Sequence, residues 1–174
     1  MHTMRDTFSP SVISASAAMR RPTRRALRLN RLSWLLALYE ENYHHLNQLF
    51  APHTLAVGRY LSDIGDGLDL RLDIIRQHRY TTELQLTYDQ PDAATGLSDP
   101  SAWLRLYRDA RQAEITHCYA GRGWQDILGP HPPSVQLLHY RLHINTFLGK
   151  WLDYLRAQGH GCQSLVFSAD ILPK

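Results

Sequence analysis

The sequence predicts an α+β domain: an antiparallel sheet of about five strands packed by two long amphipathic helices, one N-terminal and one C-terminal. Two patterns carry this expectation. Apolar residues recur at spacings of three and four from about Leu27 to Phe50 and again from Ser134 to Gly159, the period of one helical face. Between these stretches the period changes to two, which alternates side chains across a sheet.

The first helix carries Leu32, Leu35, Leu36, Tyr39, Tyr43, Leu46 and Phe50 on its apolar stripe and ends before Pro52, with Glu40, His44, Asn47 and Gln48 turned to solvent. "TLAVGRYL" (Thr54 to Leu61) reads as the first strand, joined through "SDIGDG", whose glycines suit a hairpin loop. In "LDLRLDI", Leu68, Leu70, Leu72 and Ile74 alternate with Asp69, Arg71 and Asp73, a strand with one wet face. The alternation resumes with Tyr80, Leu84, Leu86 and Tyr88 on one side and Thr81, Glu83, Gln85 and Thr87 on the other. A Pro/Asp/Gly/Ser-rich connection follows from Asp89 to Ser101, and then "AWLRLYRD" and "AEITHCYA" read as two more strands. Beyond "GRGWQDILGPHPPS", Ser134 is placed to cap the second helix, whose stripe runs Leu138, Leu142, Ile144, Phe147, Leu148, Trp151, Leu152 and Leu155, and Gly159 ends it. The run "LVF" in the last segment reads as an edge strand or tail. These limits divide the chain into a basic, disordered leader (1–26), one α+β domain (27–160) and a C-terminal tail or short edge strand (161–174).

The formal net charge of +3 over 174 residues is unevenly spread. Residues 1–31 hold seven arginines against Asp6, so the remainder is net acidic. A basic arm of this kind suits nucleic acid, anionic lipid or an acidic partner, or stays solvated. No apolar run approaches the roughly 20 residues that cross a bilayer. Two cysteines, Cys118 and Cys162, lack the spacing of a disulfide framework or zinc knuckle, and a reducing, cytoplasmic setting is expected.

Three blocks, "LYEENYHHLNQLFAP" (Leu38 to Pro52), "RYTTELQL" with "LRLYRDARQAEI" (Arg79 to Leu86 and Leu104 to Ile115) and "INTFLGKWLDYLRAQG" (Ile144 to Gly159), resemble the YqiB-like bacterial proteins, a domain family of unknown function. The resemblance covers roughly residues 32–160 and leaves out the arginine-rich leader. It implies one domain in a bacterial cytoplasm and names no catalyst. The family's last helix opens with an Asp-Glu-Lys run shortly before the Asn, where this chain reads His139, Tyr140 and Arg141 and keeps only the basic residue.

Nucleophile and phosphate-cradle motifs are absent: there is no G-x-S-x-G, P-loop or G-x-G-x-x-G, and no cofactor is expected. His139 and His143 share a helix face, but no Glu intervenes and a third ligand must come from afar, from His131, Asp126 or His117, so no metal is expected. The candidate ligand-binding set is Arg79, Tyr80, Arg105, Tyr107 and Arg108, because arginine with tyrosine binds carboxylate or phosphate through forked hydrogen bonds and ring contact. The competing expectation is that these arginines pair with Glu83, Asp109 and Glu114 across strands. Asn42 and Asn145 border the helix stripes, where a poor helix former needs a hydrogen-bonding reason, and Glu40 is the acid beside them.

The functional expectation is a non-catalytic interaction or regulatory module that meets an unknown protein partner through its sheet face or edge. The alternatives are a small-anion site, binding or enzymatic, on the Arg/Tyr cluster, and nucleic-acid contact through the leader.

Overall fold

The computed structural model describes residues 24–65, 68–91, 94, 96, 98, 100–118 and 122–168. The elements in chain order are α1 (Arg24–Phe50), a 3-10 turn (Pro52–Thr54), β1 (Gly58–Ser62), β2 (Leu70–Gln77), β3 (Thr81–Tyr88), β4 (Ser101–Tyr107), β5 (Gln112–Cys118), β6 (Arg122–Gly123), α2 (Trp124–Leu128), α3 (Ser134–Gln158) and β7 (Leu165–Ser168). The strands form one seven-stranded sheet in the order β6-β5-β4-β3-β2-β1-β7, every neighbouring pair antiparallel. The architecture is α+β, as expected. Two short strands raise the expected count of about five: β6, of two residues, and β7, which lies within the segment read as a tail or edge strand.

Alternation builds the core. Leu70, Leu72 and Ile74 of β2, Leu84 and Leu86 of β3, Leu104 and Leu106 of β4, and Ala113 and Ile115 of β5 all point to the helix side and are buried. Leu46, Leu49 and Phe50 of α1 meet them with Leu148, Trp151, Leu152 and Leu155 of α3. The two long helices run parallel, since Leu35 packs with Leu142, Asn42 with Asn145, and His45 lies beside Asp153.

Several local expectations shift. The first strand starts at Gly58 rather than Thr54, because Pro52–Thr54 close a 3-10 turn whose preceding Ala51 takes a left-handed conformation. Tyr80 lies outside β3 and half exposed, in a tight β2–β3 connection closed by His78 N–H donating to Thr81 O at 2.8 Å. Ser134 is the first helical residue of α3 rather than its cap; Pro133 holds that position without a side-chain bond. Gly159 does end α3, at φ 101°, a conformation that favours glycine. Leu32 and Leu36, expected on the buried stripe, are exposed. No helix among the described residues is long and apolar enough to cross a membrane.

Candidate functional site

The sheet face opposite the core carries the charged residues, which the period of two sends to one side. Cross-strand register sets Glu83 opposite Arg105 and Arg105 opposite Glu114. Arg105 donates through Nε and Nη2 to Glu83 Oε1 at 3.1 and 2.9 Å, and Arg76 approaches the other oxygen of Glu83 at 3.6 Å. Tyr107 OH donates to Glu114 Oε1 at 2.9 Å, and Arg141 of α3 reaches Glu114 Oε2 at 4.0 Å. This ladder joins four strands, β2 to β5, to a helix. Tyr107 raises the pKa of Arg105 further, the largest effect on that group, while burial raises that of Tyr107 itself.

Where the ladder meets α3, Arg105, Glu114, Thr116, His117, Gln125 and Arg141 are among the residues lining a cleft of about 230 Å³. Tyr39 of α1 stands behind it. Its hydroxyl is buried, and burial raises its pKa against the pull of the nearby Arg141 guanidinium. Asn145 marks the point where α3 passes the outer side of β5. Its Oδ1 accepts the Ile115 N–H at 3.3 Å, and its Nδ2 donates to Arg141 O at 2.8 Å. Asn42 Nδ2 donates to Asn145 O at 3.1 Å. These two buried asparagines lock α1, α3 and the β5 edge to one another, the reason for a polar residue beside each stripe.

The five residues proposed from sequence as a ligand set divide into two groups. Arg105 and Tyr107 belong to the ladder. Arg79, Tyr80 and Arg108 lie at the β2–β3 connection, where the Arg79 guanidinium sits 5.0 Å from the Tyr80 ring centroid. There Arg108 donates from its backbone N–H to Tyr80 O at 2.8 Å and from Nη1 to Arg79 O at 3.4 Å. Glu40 is exposed, with His44 at 4.0 Å. His139 contacts the Arg31 guanidinium, and no group of three or more His, Cys, Asp or Glu side chains among the described residues is placed to hold a metal ion.

Sequence reasoning missed two polar clusters. Asp73 accepts from Arg59 Nε at 2.9 Å with Arg71 Nε at 3.4 Å, and it is 3% exposed on the face expected to be wet. At the other end of β1, Ser62 Oγ lies 2.7 Å from His160 Nδ1 and 2.6 Å from Ser164 Oγ, stapling the chain after α3 to the strand. The signal for the first was an aspartate inside "LDLRLDI". The second joins residues about a hundred positions apart and left no local trace.

An α+β fold whose outer sheet face carries charged residues paired across strands is the class that this fold and site define. The DUF1249 family, described as proteins of unknown function, matches residues 45–161, and the chain belongs to that family. It is 33% identical over 128 residues to the uncharacterized protein YqiB of Escherichia coli strain K12, covering 72% of this chain and 88% of that protein. The YqiB proteins of E. coli O6:H1 and O157:H7 match to the same extent. No solved structure matches the chain.

Proposed function

We propose that this domain is a non-catalytic interaction module that takes an extended segment of a protein partner along the outer edge of β7. The observation that carries the reading is the contrast between the two ends of the sheet. At one end the two-residue β6 pairs with β5 only at His117 and Cys118, and farther along β5 Asn145 of α3 occupies the Ile115 N–H. At the other end β7 pairs with β1 on one side only, and no described strand lies beyond it. Val166 and Phe167 of β7 are 68% and 56% exposed. An uncovered edge presents unpaired backbone groups that a further strand can satisfy, and proteins ordinarily blunt such edges with charge or proline. "LVFS" has neither. The ladder supports the non-catalytic part, because Glu83 and Glu114 already have arginine or tyrosine partners. Cys118 and Cys162 are free thiols, which supports a reducing, cytoplasmic setting.

The test is a photo-crosslinking amino acid placed at position 166 of the full chain in a bacterial host, with position 111, on the β4–β5 turn, as control. A discrete adduct at 166 that disappears with Phe167→Glu is expected. No adduct, or equal adducts at both positions, removes the β7 reading.

A second reading rests on the cleft at Arg105 and Arg141, whose half-exposed guanidinium groups suit a small anion. Calorimetry with inorganic phosphate and with acetate on the wild type and on Arg105→Gln decides it: heat that vanishes in the variant supports the site, and none in the wild type ends it. Nucleic-acid contact through the leader falls mostly on residues outside those described. A probe shift that weakens steeply with salt would support it.

A further inference from the structure

β5 changes face partway along its length. Ala113 and Ile115 point into the core, and strict alternation would send residue 117 after them. The register instead slips by one: Trp103 pairs with His117 and Leu104 with Ile115, which leaves Thr116 as an extra residue with no counterpart on β4. This is a β-bulge, a device that re-aims side chains. Cys118 takes the buried position in place of His117, and Thr116 and His117 both come to the cleft that Arg105, Glu114 and Arg141 line.

The bulge also settles which nitrogen of His117 accepts a hydrogen bond. Thr116 Oγ1 donates to the Trp103 carbonyl oxygen at 3.2 Å and lies 3.0 Å from His117 Nδ1. A hydroxyl has one hydrogen; with it turned to Trp103, the oxygen accepts from the ring, so the neutral imidazole carries its proton on Nδ1 and a lone pair on Nε2. The Trp103 ring stands edge-on to the imidazole with centroids 6.4 Å apart. The charges nearby are unequal. Along the ladder Arg76, Arg105 and Arg141 meet Glu83 and Glu114, three guanidinium groups against two carboxylates and so one positive charge in excess. Arg141 Nη1 stays 4.0 Å from Glu114 Oε2, beyond hydrogen-bond distance, and the Tyr39 hydroxyl draws on one of its five N–H donors. Among the described residues these contacts leave Arg141 donors for an anion.

We propose that this cleft binds a small hydroxycarboxylic acid, its carboxylate held by Arg105 and Arg141 and its hydroxyl hydrogen accepted by His117 Nε2. The inference rests on the small-anion reading of the same cleft and names the chemistry of its ligand. One excess positive charge matches a single carboxylate. A second carboxylate at His117 would set acceptor against acceptor, whereas a hydroxyl supplies the missing hydrogen. The volume of about 230 Å³ has room for roughly seven heavy atoms at the 30 Å³ or so that a water occupies, the size of a two- to four-carbon hydroxy acid.

Chemical-shift titration of the isotope-labelled full chain with propionate, lactate, 3-hydroxypropionate and alanine tests the proposal. One of the two hydroxy acids is expected to bind about three- to tenfold tighter than propionate. His117→Phe is expected to lose that preference while it still binds propionate and melts with the wild type, since the side chain is exposed; Arg141→Gln is expected to weaken all the acids. A long-range nitrogen–proton spectrum of the neutral His117 ring is expected to show the proton on Nδ1. A ring protonated on Nε2 overturns the proposal, as does a hydroxy-acid preference that survives His117→Phe, or alanine bound tighter than lactate. Propionate binding that Arg105→Gln removes, with no gain from a hydroxyl, overturns this inference and leaves the small-anion reading standing. No shift with any of the four compounds overturns both.

Discussion

Asp73 ties β1 to β2 on the sheet face away from the core. It holds two guanidinium groups, those of Arg59 and Arg71, while itself 3% exposed. Losing one member of a buried charge cluster leaves the others uncompensated, so Asp73→Ala is expected to cost about 3 kcal/mol or more. A urea midpoint that does not move would show that water reaches the cluster. Trp151 tests the core side. It is buried, its ring stacks on Phe147 with centroids 5.8 Å apart, and its Nε1 donates to Tyr88 OH at 3.3 Å. Trp151→Ala is expected to destabilise by about 3 to 5 kcal/mol, read from the same denaturation curve. An unchanged melting temperature would place the packing of α3 on another face.

Among the elements, β7 depends on a glycine of the strand beside it. Gly58 has φ 149°, and a Cβ built there would lie 2.6 Å from the Phe167 ring, which itself packs edge-on against Tyr60 at 5.3 Å. Gly58→Ala is therefore expected to push Phe167 off β1 and loosen β7, at about 1 to 3 kcal/mol if the strand stays docked. Faster amide exchange in Leu165–Ser168, with β3 and β4 unchanged, is the check. The ladder between β4, β5 and the helices has a pH signature. Tyr39 and Tyr107 both titrate above the usual tyrosine value in the folded chain, mainly through burial. Between the unfolded and folded values the folded state holds more protons, so this contribution is complete below about pH 10 and is lost as pH rises through the folded pKa. Tyr107→Phe is expected to flatten the alkaline fall in stability; an identical slope would mean that the hydroxyl is solvated in the fold.

For the whole molecule, the core of the described residues draws on no side chain before Leu35. Deleting residues 1–23 is therefore expected to keep the cooperative unfolding transition, with its midpoint shifted little. Loss of that transition would mean that the basic leader belongs to the fold, and the division at about residue 26 would fall. That deletion removes Arg5, Arg20 and Arg21 and keeps Arg24, Arg25, Arg28 and Arg31, so salt-dependent probe binding that survives it would place any such contact on the remaining arginines or elsewhere.

The amino-acid sequence by itself determined the class of fold, the two helices and the direction in which the long strands face. These follow from periods of 3.6 and 2, which are properties of neighbouring residues. It also put glycine at the end of α3, because few other residues take that conformation cheaply. Only the tertiary structure decided which parts of each face are covered. Leu32 and Leu35 belong to one apolar stripe by spacing, yet α3 lies over the second and leaves the first in water. Asp73 and Glu83 sit on the same kind of wet strand face, yet Arg59 and Arg71 close over Asp73 alone. The five arginines and tyrosines expected as one site divide because β3 starts at Thr81 and leaves Arg79 and Tyr80 in a turn. In each case the deciding neighbour is remote in the chain, as Asn145 is from Ile115 or His160 from Ser62. Local periodicity sets where a side chain points, whereas what it meets there depends on the closure of the sheet and the crossing of the helices.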